Sequence, residues 1–199
     1  MSFLIEKEKT TTSLPPDNGY NYLKAMPLEQ RLTRINEIED YLMVPPSDLA
    51  GKLMSMLYKE LGSLYISLGS KEGLKKGMDY YERALKIDID LYGEEHSSVA
   101  EDYINIGRAL VNIGESRKAL YYFEKALNIN LKVYGENHPV VAKTYNNIGS
   151  AWDRLGQSKK AQLYLEQALE ISLKFYGDNH PDIILFKNNL ASLQKLKSG

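Results

Sequence analysis

One stretch of sequence is written three times at a fixed interval. YGEEHSSVAEDYINIG begins at Tyr92, YGENHPVVAKTYNNIG at Tyr134 and YGDNHPDIILFKNNLA at Tyr176, each 42 residues after the last. Laid together without a gap, Tyr92–Val133 and Tyr134–Phe175 share 22 identities in 42 positions. A more diverged copy precedes them. YKELGSLYISLG from Tyr58 matches YINIGRALVNIG from Tyr103, and YYERALKIDIDLYG from Tyr80 matches YFEKALNINLKVYG from Tyr122. Such self-similarity restricts the fold to stacked units, each unable to bury its apolar face alone.

Within a copy the apolar spacing is helical. Val141, Tyr145, Ile148 and Trp152 recur at three- and four-residue steps, and Gly156 stops that helix. Ala161, Leu165, Ala168, Leu169 and Leu173 then mark a second stripe. Small residues at Gly149, Ala161 and Ala168 let the two helices approach closely. YGENHP reads as a joint, with Gly135 suited to a left-handed C-cap and Pro139 to the first turn of the next helix. The two halves of the first copy stand three residues further apart, in GSKEGLKKG from Gly69, which predicts a lengthened turn.

The array divides into repeats at about 50–91, 92–133 and 134–175, followed by a capping helix over 176–196. Leu28, Leu32, Ile35, Ile38 and Leu42 predict a further capping helix from Pro27 to Met43. Pro45–Pro46 breaks it, Ser47 is placed to cap the next helix, and the linker ends at 49. Residues 1–26 lack helical periodicity and are expected to form a mobile arm. A helix at each end leads us to expect a complete, capped array, with a segment of a longer repeat protein as the alternative.

The chain carries 25 Lys and Arg against 26 Asp and Glu, which gives no general attraction to nucleic acid or anionic membranes. It has no cysteine, so disulfides, thiolate metal sites and cysteine nucleophiles are excluded. Neither a signal peptide nor a membrane span can be read from the sequence, and a cytoplasmic location is expected. His96, His138 and His180 fall on the joints. Equivalent joints stand ~10 Å apart in packed helices, too far to share a zinc at Zn–N distances of ~2.1 Å. DIDLYGEEHSSV from Asp88 lacks the glutamate that closes a calcium loop, since Val99 stands there. The tyrosines recur at core and joint positions and predict packing rather than base stacking. No hydrolytic constellation is present. The expectation is a non-catalytic protein without a cofactor or metal.

Helix pairs with this small-residue pattern resemble tetratricopeptide repeats. The 42-residue period, the YGENHP joint and the YNNIG helix resemble specifically the repeats of kinesin light chains and their bacterial relatives. The resemblance covers roughly residues 50–196. It implies an all-α fold, a right-handed α-solenoid of antiparallel helix pairs, whose first helices line a concave peptide-binding groove. Taking Gly62, Gly107, Gly149 and Ala191 as the shared small position, the residues two before it are Glu60, Asn105, Asn147 and Asn189, with Asn146 beside Asn147. In kinesin light chains an equivalent asparagine ladder contacts bound cargo peptides. An Asn amide offers both donor and acceptor to a peptide backbone. The alternative is that these amides bond between repeats and hold register.

Other implied groove positions are Lys59, Arg108, Lys143, Arg154 and Lys195 against Glu60, Glu101 and Asp153, with Ile66, Ile104 and Val111 as an apolar floor. The balance is mildly positive, which favours an acidic peptide or a C-terminal carboxylate as partner. Lys59, Asn105 and Lys143 also match three positions of the carboxylate clamp of chaperone-binding tetratricopeptide domains. Ser63 and Asn147 replace its Asn and Arg, which removes the bidentate guanidinium. Two further readings are a self-associating, dimerising module and a groove blocked by SLPPDNGYNYL from Ser13.

Overall fold

The computed structural model describes Leu23, residues 25–43 and residues 51–195. The expected arm, the Pro45–Pro46 break and the Ser47 cap lie largely or wholly outside these residues. Among them are eight helices and no strand: α1 (Leu28–Met43), α2 (Gly51–Ser67), α3 (Lys71–Tyr92), α4 (Ser97–Asn112), α5 (Ser116–Tyr134), α6 (Pro139–Arg154), α7 (Ser158–Tyr176) and α8 (Pro181–Lys195).

Pairs α2–α3, α4–α5 and α6–α7 are joined by three-residue turns, and four-residue joints link each pair to the next helix. Turns this short make the helices of a pair antiparallel neighbours. Gly62, Gly107 and Gly149 sit at the closest approach within each pair. A methyl built on Gly107 would stand 2.5 Å from the Phe123 ring, and one on Gly62 2.5 Å from Tyr81. One apolar cluster runs from Ile66 and Tyr81 through Ile106 and Phe123 to Ile148 and Ala151, tying all three pairs together. At the N-terminal end, Ile35 and Ile38 of α1 pack with Leu57, Leu61 and Leu64 of α2. The outer part of the expected α1 stripe, Leu28 and Leu32, remains exposed.

The joints explain their repeated sequence. Each histidine caps the following helix: Nδ1 of His96, His138 and His180 accepts the backbone N–H of Ser98, Val140 and Asp182 at 3.1–3.2 Å. The preceding tyrosine stacks on the imidazole and holds its orientation, as with Tyr134 and His138 at 4.5 Å between ring centres. Gly135 ends α5, but its φ of 78° and ψ of 169° lie outside the expected left-handed helical region. They fall in an extended mirror region that only glycine adopts without strain. Gly156 instead closes a Schellman turn, its own N–H bonded to Asp153 O at 2.8 Å and that of Gln157 to Trp152 O at 3.0 Å.

The three extra residues of the first copy do not lengthen the turn. They lengthen the helix: α3 has 22 residues where α5 and α7 have 19. Ser70 caps it, its Oγ accepting the Gly73 N–H at 3.0 Å. The glycines that suggested a loop serve packing, because a methyl on Gly77 would meet the Gly62 carbonyl oxygen at 2.8 Å.

Candidate functional site

Helix α4, the last turn of α5 and the first turns of α6 enclose a cleft of about 310 Å³. That is the lower end of the ~300–1,000 Å³ typical of ligand sites. Asn105, Lys143 and Asn147 line it together with Glu101, Ile104 and Asn130. Asn105 also borders a much smaller pocket with Arg108, Ser63 and Ile66. The structure therefore brings Asn105, Asn147, Lys143 and Arg108 to adjoining surfaces. Arg154 is exposed at the end of α6 and lines neither space, nor does Val111. The Lys195 side chain lies outside the described residues.

The three aligned asparagines do not behave alike. Asn189 Nδ2 donates to Asn146 Oδ1 at 2.8 Å, joining α8 to α6, with Asn146 buried. One repeat earlier the position matching Asn146 is Ile104, which offers no side-chain acceptor, and one earlier still it is Lys59, which is otherwise engaged. Asn105 and Asn147 are half-buried and make no side-chain hydrogen bond among the described residues. Asn189 and Asn146 thus bond between helices, while Asn105 and Asn147 line the cleft.

Charges expected in the groove are held by acids that a surface count overlooks. Lys59, 17% exposed, lies 2.9 Å from Asp88, 3.1 Å from Asp102 and 3.5 Å from Glu101. Burial acts to lower its pKa, but the charges of Glu101, Asp102 and Asp88 prevail and hold it above the ordinary lysine range. Lys143 pairs with Asp182 in the first turn of α8 at 3.1 Å. Glu60 is taken by Arg34 of α1 in two bonds of 2.6 and 3.0 Å. Asp102 could have been found in the sequence. It stands three residues after Val99 and four before Ile106, both fully buried, and so shares their stripe.

Among the described residues no group of side chains suited to hold a metal ion occurs, and no helix is long and apolar enough to cross a membrane. The chain matches no curated protein significantly. Among solved structures it is similar to BtubC (BKLC) from P. vanneervenii, at 26% identity over 77% of this chain and 60% of that one, with a TM-score of 0.66. The apo form of RapI is similar at 23% identity, over 90% of this chain and 61% of that one, with a TM-score of 0.69. A putative kinesin light chain of P. anserina with nearly identical TPR-like repeats gives 18% identity, coverage of 89% and 82%, and a TM-score of 0.66. The chain spans about three fifths of the length of BtubC and RapI. The likenesses below 25% identity bear on the fold alone. The tetratricopeptide repeat profile matches residues 53–132 and 110–174, the span that folds into the stacked helix pairs. The chain belongs to the tetratricopeptide repeat family.

Proposed function

We propose that this protein is a non-catalytic scaffold that holds an extended peptide segment of a partner protein in the cleft between α4 and α6. The tetratricopeptide fold points to protein–protein interaction. The observation that carries the finer reading is the pair Asn105 and Asn147, which line one cleft and make no side-chain hydrogen bond among the described residues. Successive first helices stand ~10 Å apart, so two such amides match about three residues of extended chain at ~3.4 Å each. Ile104 adds an apolar contact for a side chain between them. Any preference for acidic segments would be weak, since Lys59 and Lys143 are drawn to buried carboxylates. It would act through steering and fade with salt.

Selection of a phage-displayed random peptide library on the protein tests this. Bound peptides are expected at micromolar affinity, and Asn105→Ala/Asn147→Ala should weaken them about tenfold or more, as loss of one or two backbone hydrogen bonds implies, with no change in melting temperature. Failure to select any peptide, or retention of affinity by the double variant, overturns the proposal.

The second reading, self-association, draws on one observation. Leu28 and Leu32 lie one turn apart on α1 and are 55% and 44% exposed. Sedimentation velocity should then show concentration-dependent mass, abolished by Leu28→Glu/Leu32→Glu. A wild-type chain that stays monomeric across the concentration range refutes it.

A further inference from the structure

The boundary between the first two helix pairs is built differently from the others. Asp102 of α4 is 0% exposed, and among the described residues neither of its carboxylate oxygens has a hydrogen-bond donor. Lys59 Nζ comes within 3.1 Å of Oδ1, yet outside hydrogen-bond geometry. Asp88 of α3, also buried, sits within hydrogen-bonding reach of Asp102 and takes the direct bond from Lys59 at 2.9 Å. Glu101 of α4 faces the same ammonium from the solvent side. Lys59 from α2, Asp88 from α3, and Glu101 and Asp102 from α4 are the charged groups recorded there among the described residues. Three carboxylates thus surround one ammonium, two of them buried.

At the next boundary the same two positions carry Asn130 and Thr144, whose side chains share a neutral buried hydrogen bond of 3.1 Å. At the third they carry Ser172 and Phe186. Only the first boundary is titratable at these positions. Two buried carboxylates in contact cannot both ionise beside a single cation without large cost, and sharing one proton supplies the missing donor.

We propose that the first boundary is a proton-held joint: Asp102 keeps a proton and donates it to ionised Asp88, and release of that proton to water as pH rises loosens the packing of α4 on α2 and α3. Burial, then the Asp88 charge, push the Asp102 carboxyl up to about 8, while the bond from Lys59 holds Asp88 below the usual carboxylate range. The sign follows. The raised Asp102 value makes its contribution complete below the ordinary range near 3.8, and that contribution is lost as pH climbs toward and through about 8. The Asp88 contribution changes only in acid. Because Glu101 contacts Lys59 and also lines the cleft, the joint reaches the rim of the site.

The test is a series of melting curves from pH 5 to pH 9.5 on the whole chain, for wild type and Asp102→Asn. Relative to the variant, wild type should lose roughly 5 °C or more across this window and level off above pH 9. Contributions common to both proteins cancel. Should Asp102→Asn fail to fold, Asp88→Asn/Asp102→Thr installs the neutral pair of the next boundary and should likewise lose the alkaline fall. Parallel curves for wild type and the folded variant overturn the proposal. So does a carboxyl carbon-13 resonance showing Asp102 already ionised at pH 6.

Discussion

Phe123→Ala is expected to cost about 3–5 kcal/mol, the usual range for emptying a fully buried aromatic site. Phe123 is 1% exposed and is among the largest fully buried side chains. Its ring lies over Gly107, whose missing side chain makes the room, and it belongs to the cluster that joins the first pair to the third. In a stacked array each unit contacts only its neighbours, so a hole in the middle pair weakens the interfaces on both sides. Neighbouring groups cannot refill it easily, because Ala119, Ala126 and Ile106 are held by helix backbones already in contact. For a chain of this length the melting temperature should fall by roughly 6–20 °C, read by circular dichroism. Gly107→Ala should also destabilise on its own, because its methyl meets the ring. In the Phe123→Ala background it should cost less, a non-additivity expected of residues in contact. A loss below about 1 kcal/mol for Phe123→Ala would show that this cluster does not hold the array together.

The parts of the structure legible in the sequence are those that recur. Gly107 and Gly149, His96 and His138, Tyr122 and Tyr164 occupy matched positions in successive copies because each unit solves the same packing problem, and period alone placed the helices. Glycine content misled once. Gly73 and Gly77 read as loop residues but permit α3 to lie against the α2 backbone, a tertiary demand that local propensity does not encode. The site was legible only in part for a related reason. Aligning Asn105, Asn147 and Asn189 shows what they share, whereas what each can bond depends on the position matching Asn146, which is Lys59, Ile104 or Asn146 itself. Likewise Asp88 and Asp102 have Asn130 and Thr144, then Ser172 and Phe186, as counterparts, so self-comparison discards them as variation. Arg34, which occupies Glu60, comes from a helix outside the repeat altogether.

Lys59 gives the sharpest contrast between a groove residue and a structural one. With Lys59→Met the stem volume is kept and the charge removed, leaving Asp88 and Asp102 buried with no cation. Breaking such a buried pair by removing one partner costs about 3 kcal/mol or more near neutral pH, a fall of roughly 6–12 °C in melting temperature. The deficit should depend on pH in a definite direction. Asp88 is held below the usual carboxylate range against its burial, chiefly by its bond from Lys59. Without that bond burial prevails and its pKa rises. The variant can then relieve the strain by binding a second proton, so its deficit against wild type should shrink toward pH 5 and widen toward pH 8. In a background of Asp88→Asn/Asp102→Thr no buried carboxylate remains at these positions, and Lys59→Met should then cost under about 1 kcal/mol. If Lys59 instead served a bound peptide and carried no structural load, the single variant would melt within a degree or two of wild type at every pH while losing peptide affinity. An early-melting variant, rescued by acid and by removal of its partners, means that this lysine closes the first boundary of the array.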